Sequence, residues 1–333
     1  MVQRLSGYTH ETSPGSGPVL PPLQGDAGPV IGSLAVLGHS TEALALSEQA
    51  IVDVAPEADQ WSLGVLVYTR IAALAANGLI SEAEAFAEQM ASVAESASNT
   101  LGMVLFGMSH AQMGLERGRP RDALDAVAVA LAAGPGPQEG GPSHHAALHA
   151  LAAHAHALLG DRQQASSSLE ASDAVASRTR LVDVVGPRSW AWVAVAEGRH
   201  RAAVATLRGV IGGDPDNRHG VMSCLHGLVR LGERCCGAEM VRLGERGCGA
   251  ELRAVLDAGA DGDLWEAFAR HGEAFDADDG VGFDAASLEL ERLGHVLAAA
   301  EAAAQATTCH ADAGDRAAAA ASRERSRSAA SQW

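Results

Sequence analysis

Apolar and polar positions along this chain alternate with the period of a helix, and glycines cut the pattern into pieces of nearly equal length. After Gly78, the side chains Ala83, Phe86, Ala87, Met90 and Ala94 recur at i, i+3, i+4, i+7 and i+11, which puts them on one face of an amphipathic helix. Before it, Leu63, Val67, Ile71 and Leu74 give the stretch Trp61 to Ala76 a matching apolar face. Gly78 between them can adopt the left-handed conformation of a helix C-cap without the steric cost a side chain would bring. Ser81 and Glu84 have the S-x-x-E spacing of a capping box, in which each side chain satisfies a free amide of the following helix. The stretch therefore predicts two helices joined by a tight turn.

The same signal, a glycine followed five residues later by an alanine, occurs at Gly38/Ala43, Gly78/Ala83, Gly118/Ala123, Gly160/Ala165 and Gly198/Ala203. The glycine spacings are 78−38 = 40, 118−78 = 40, 160−118 = 42 and 198−160 = 38. A period near 40 residues predicts an all-α solenoid of helical hairpins, each burying its apolar face against its neighbours. The alanine is small enough to let the second helix of a hairpin lie close against the first. These ten residues are the turn positions on which the predicted architecture rests.

Four regions follow. Residues 1–30 are rich in Pro, Gly and Ser and read as a disordered lead. Residues 31–213 hold the regular hairpins. Ser40 is placed to cap a helix that Pro56 ends, and the later pairs are Leu101 to Glu116 with Asp122 to Ala133, His144 to Leu159 with Gln163 to Ser177, and Ser189 to Ala196 with Arg201 to Ile211. The Gly- and Pro-rich run Ala133 to Pro142 is a loop. Residues 214–320 read as degenerate repeats, with helices over Leu252 to Arg270 and Ala285 to Thr308. They contain a tandem duplication at 229–252, in which Val229 to Met240 and Val241 to Leu252 differ only at Cys235/Gly247 and Met240/Leu252. Residues 321–333 read as a disordered Arg/Ser tail.

Charge and composition narrow the function. The chain carries 24 Lys+Arg against 41 Asp+Glu, a net charge of −17. An excess of that sign opposes binding to nucleic acid or to an anionic membrane. Every fixed cation is arginine, so the chain supplies neither a P-loop lysine nor a Schiff-base lysine. Five cysteines, an odd number, imply no disulfide framework. No run is long and apolar enough for a membrane span, and the first thirty residues lack the apolar core of a signal peptide. A cytoplasmic protein that uses no cofactor is expected.

Candidate chemistry is sparse. His144, His145, His149, His154 and His156 cluster in sequence, and on a helix His145 and His149 lie one turn apart, a spacing that can grip zinc or copper. No Glu stands between them as in H-E-x-x-H, and a half-buried helix face explains them without a metal. Asp276, Asp278, Asp279 and Asp284 lack EF-hand spacing, and Cys235, Cys236 and Cys248 form no C-x-x-C pair. There is no G-x-S-x-G elbow. Trp190 and Trp192 are two apart, so only one can face a core squarely.

Residues 31 to about 320 resemble the helical-repeat region of large actinobacterial LuxR-type (MalT-like) transcriptional regulators. The likeness lies in the tetratricopeptide-like hairpins, in Ala191-Trp192-Val-Ala-Val-Ala-Glu197-Gly198, and in Leu288-Glu-Leu-Glu-Arg-Leu-Gly294, Leu297-Ala-Ala-Ala-Glu301 and Ala313-Gly314-Asp315-Arg316. The resemblance implies a tetratricopeptide-like α-solenoid that receives a protein or small-molecule inducer within a regulator whose ATPase and helix-turn-helix domains lie outside this sequence. No G-x-x-x-x-G-K-[ST] is present, and 333−316 = 17 residues follow Arg316, fewer than the family's DNA-binding module needs. A truncated or split regulator is expected, not an enzyme, with no DNA binding of its own. The alternatives are a stand-alone tetratricopeptide-type scaffold and a metalloprotein centred on His145 and His149.

Overall fold

A computed structural model describes residues 27–53, 60–133, 142–175, 180–232 and 247–331. The Pro-rich lead to residue 26, Pro56, the loop core at 134–141 and most of the duplication (233–246) lie outside these. The described residues form sixteen helices. Their only β pairing is an isolated bridge between His39 and Asp261. The chain is an all-α solenoid of helical hairpins.

In order, the helices are α1 Ala27–Val36, α2 Ser40–Asp53, α3 Gln60–Ala76, α4 Ile80–Ser96, α5 Thr100–Glu116, α6 Pro120–Ala133, α7 Pro142–Leu158 and α8 Arg162–Val175. They continue as α9 Arg180–Ala196, α10 His200–Gly213, α11 Arg218–Arg230, α12 Cys248–Asp257, α13 Asp263–Ala277, α14 Gly280–Arg292, α15 Val296–Asp312 and α16 Arg316–Ala330. Each helix packs on its neighbour in sequence, and as far as α11 the first helices of successive hairpins also pack on one another, as α3 does on α5.

One turn geometry is reused throughout. At Gly78 (φ +77°) the glycine amide bonds to the Ala75 carbonyl and the Leu79 amide to the Leu74 carbonyl, the paired bonds of a Schellman motif. Gly38, Gly118, Gly160 and Gly198 repeat the pattern with φ between +76° and +85°. Ala43, Ala83, Ala123, Ala165 and Ala203, each in the first turn of the helix that follows, are all 0 % exposed. The core is divided along the solenoid, with one cluster under the first hairpin, one spanning α3 to α7 and one running from α9 to α15.

Several expected details differ. The capping box does not form: Leu79 is the N-cap of α4 with no side-chain bond. Glu84 instead pairs with Arg117 and Arg119 of the next hairpin turn, and Arg117 also donates to Ser81 Oγ. Two guanidinium partners outcompete one backbone amide, because charge-assisted bonds are the stronger kind. Ser40 opens α2, but its hydroxyl accepts a bond from Trp265. Leu252 to Arg270 is two helices parted by Gly259 and Gly262, and Ala285 to Thr308 is broken at Gly294 (φ +82°). The tail expected to be disordered from residue 321 is helical to Ala330, because Asp284 accepts bonds from Ser322 and Arg325 and so docks it. Cys248 is disulfide-bonded, whereas Cys224 is free.

The solenoid also closes on itself. Helices α11, α13 and α15 pack against α1, α3 and α5. The turn at Gly38 meets Ala260 and Arg218, and the turn at Gly78 meets Leu293. Gly294 in turn abuts Ile80. Asp261 bonds to the Gly38 carbonyl and the Thr41 amide, each at 2.9 Å. The inner face of the early hairpins is therefore covered by the late ones.

Candidate functional site

Where the two arcs meet, an interior cleft holds about 40 Å³ of space. Ala76, Ile80, Gln112 and Glu116 line it from the early hairpins, and His219, Arg230, Trp265 and His295 from the late ones. Arg188 and Trp192 of α9 stand between the two sets. A cavity needs about 10–15 Å³ to hold one water, so this one has room for roughly three.

Local structure explains each polar side chain. Glu116 is the last residue of α5 and sits where the chain turns toward Gly118. His295 follows the left-handed Gly294, which aims it inward, and only 2 % of its side chain is exposed. Arg188 follows Pro187 within α9, and Arg230 closes α11. Glu116 accepts a bond of 2.9 Å from Arg188, and its other oxygen lies 3.4 Å from His295 Nδ1. Burial pushes the Glu116 carboxyl up. Arg188 and His295 outweigh that and hold it well below the usual carboxylate range. Arg230, 8 % exposed, forks onto Glu301 and lies 4.6 Å over the Trp192 ring. His154 stacks on Trp192 at 5.7 Å.

A second polar chain runs behind the cleft. Gln305 donates its amide to the Val229 carbonyl, which leaves its oxygen to face His271 Nε2 at 2.7 Å. His271 Nε2 is thus the donor and its Nδ1 the acceptor, for a proton donated by His226 Nε2 at 3.0 Å. His226 lies flat against Phe268 with ring centroids 3.6 Å apart. Burial holds both rings neutral, taking His271 to about 4 and His226 well below its ordinary value, where the charges of His271 and Arg230 add to the effect. Burial likewise lowers His154 to about 3 and His219 to about 4. The nearby Arg188 guanidinium adds to the effect of burial at both of these rings. His295 Nε2 is buried and makes no hydrogen bond.

The metal candidate from sequence does not gather ligands. His145 is buried, His149 is half-buried, and burial followed by the charge of His145 lowers His149. Among the described residues the one group of three ligating side chains within 4.8 Å of one another is Glu84, Glu88 and His110. Glu84 there is already held by Arg117 and Arg119. The acidic run disperses too: Asp276 caps α12 through the Gly249 and Ala250 amides, Asp279 caps α14, and Asp284 holds α16. Of the two tryptophans, Trp192 lines the cleft and Trp190 sits beneath Arg199.

Sequence reasoning passed over Glu116, Arg188, Arg230, His219, His226, His271 and His295. The available signal was an Arg or His inside an otherwise apolar stripe, as in Val221-Met222-Ser223-Cys224-Leu225-His226.

The fold is that of an all-α repeat of helical hairpins. Among solved structures, a thermophilic TPR protein of Thermus thermophilus is similar at 21 % identity and a TM-score of 0.42, covering 60 % of this chain and 97 % of that one. The TPR domain of P58(IPK) is similar at 14 % identity and a TM-score of 0.25, covering 92 % of this chain and 98 % of that one. No family model and no curated protein matches the chain.

Proposed function

We propose that the chain is a signal-receiving, protein-interacting helical-repeat module and that the interior cleft is its receiving site. The observation that carries this reading is the position of the cleft: one wall comes from the early hairpins and the other from the late ones. A ligand seated there touches both arcs and stabilises their contact. The largely enclosed Arg188–Glu116–His295 cluster, in which His295 is buried and Arg188 and Glu116 are partly so, adds support, since apolar side chains of similar volume usually stabilise a core at least as well. The resemblance of residues 31 to about 320 to the repeats of LuxR-type regulators supports reading such a module as part of a transcriptional regulator, with DNA binding and nucleotide hydrolysis left to other domains. The reading is non-enzymatic and cytoplasmic. No helix among the described residues is long and apolar enough to cross a membrane.

A stand-alone scaffold is the second reading. Val281 and Leu288 of α14 are 71 % and 55 % exposed and seven residues apart, so they form one apolar stripe for a partner protein.

Amide hydrogen exchange separates the two. A deproteinised cell extract that slows exchange at Leu79–Ile80 and His295–Val296 together supports a signal received between the arcs. Unchanged exchange at both turns, in extracts from cells grown under varied conditions, sinks that reading and leaves the scaffold.

A further inference from the structure

We infer that the cleft binds a small oxyanion, a short carboxylate or a phosphate-type group, between Arg188, Arg230 and His295. This deepens the proposed function and rests on the cleft being the receiving site.

Arg188 and Arg230 are the first ground. A guanidinium has five N–H donors in a planar fork that matches two oxygens of a carboxylate or phosphate. Arg188 gives one hydrogen bond, to Glu116, and Arg230 gives two, both to Glu301. Both side chains line the cleft, and none of their remaining donors is sealed away as a buried unpaired atom. Those donors therefore keep some accessible surface on two side chains that line the cleft.

His295 is the second and independent ground. It lines the cleft, is 2 % exposed, and its Nε2 has no partner. Leaving a buried polar atom unsatisfied costs about 1–3 kcal/mol, and with Nδ1 facing the Glu116 carboxylate an oxyanion removes that cost at Nε2 when the ring carries both protons and donates from each nitrogen. Gln112 supplies one further polar wall.

Charge and size then select the ligand class. Glu116 is the acidic group that lines the space, and Arg188 and His295 already engage it. A cation would face two guanidinium groups, so it is excluded. Room for roughly three waters corresponds to a ligand of about three to five heavy atoms. Trp192, Trp265 and Phe268 supply apolar walls beside the two guanidinium groups, and low-dielectric walls strengthen ionic contacts.

The test is thermal unfolding of the full chain at fixed pH and ionic strength, with chloride replaced stepwise by formate, acetate, propionate, phosphate or sulfate. At least one oxyanion should raise the midpoint saturably at millimolar concentration, by about 2–5 °C. Response to the carboxylates alone identifies a short organic acid, and response to phosphate and sulfate identifies a phosphate-type group. Ser223→Met fills the cleft while retaining both arginines and should abolish the shift, as should Arg188→Met. Should either variant fail to fold, calorimetric titration of the unaltered chain decides, with one anion per chain expected. No saturable shift, equal shifts from every anion, a shift that survives in folded Ser223→Met, or a stoichiometry above one overturns the proposal. Anion binding that leaves exchange at the Leu79 and His295 turns unchanged would retain this site while removing the coupling of the arcs.

Discussion

Trp265 Nε1 donates a hydrogen bond of 3.0 Å to Ser40 Oγ across 225 residues of sequence. Both side chains are buried, and the bond ties the first helix after the Gly38 turn to the late arc. An ordinary α-solenoid has no contacts of this reach, because each repeat touches only its neighbours. Here the pair is one stitch in a seam that also includes Asp261 with Thr41 and Leu293 with Gly78.

If the seam is energetically coupled, Trp265→Phe and Ser40→Ala should each destabilise the chain, by about 1–3 kcal/mol. A double-mutant cycle by denaturant unfolding should give a coupling of about 0.5–1.5 kcal/mol. Additive effects would show that the bond contributes nothing to holding the arcs together.

The turn glycines separate two costs that sequence alone merges. Gly160 (φ +76°) has open space where a Cβ would stand, whereas a Cβ at Gly78 (φ +77°) would lie 2.5 Å from Leu293 Cδ2. Gly160→Ala should therefore cost only the left-handed backbone penalty, about 1–2 kcal/mol. Gly78→Ala adds a clash across the seam, worth about 1–3 kcal/mol more. Equal thermal midpoints for the two variants would mean that the Gly78 turn is not pressed against the late arc.

The hairpins were legible because they are local: the glycine that ends one helix and the alanine that starts the next are five residues apart. The breaks at Gly259 and Gly294 obey the same chemistry but fall outside the regular spacing, so the continuous Ala-rich run Leu297 to Ala304 masked the second. The Ser81/Glu84 capping box was a sound local inference overturned by Arg117 and Arg119, which lie 36 and 35 residues away. The cleft could not be read at all. Glu116, Arg188 and His295 carry no spacing rule, and only closure of the solenoid brings them together.

Acid should loosen the chain in a defined window. His154, His219 and His271 are held neutral by burial at about 3, 4 and 4, against an unfolded value of about 6.5. Between those values the unfolded chain binds protons that the folded chain excludes. Stability is therefore full above about pH 6.5 and falls as the pH drops, by about 1.4 kcal/mol per pH unit for each histidine. Glu116, held low in the fold, acts in the same direction below its unfolded value. Urea unfolding from pH 7 to pH 4.5 should show this slope, and His271→Gln should flatten it. A pH-independent midpoint would mean that these rings are solvated.

The chain should not bind DNA by itself. Recognition needs a braced helix in a groove and enough cations to displace phosphate counterions. The net charge is −17, and the basic cluster nearest the end of the described residues lies on α16. There Asp284 engages Arg325, Arg327 lies 3.9 Å from Glu324, and Arg316 and Arg323 are exposed. With about three cations free to meet phosphates, log K should fall with log salt at a slope no steeper than about −3. Any binding seen at low salt should then be weak, indifferent to sequence and gone at physiological ionic strength. Mobility-shift titrations against the promoter DNA of its own gene, at low and physiological salt, measure this directly. Salt-resistant, sequence-selective binding would require a DNA-reading surface somewhere other than α16, and would overturn the prediction.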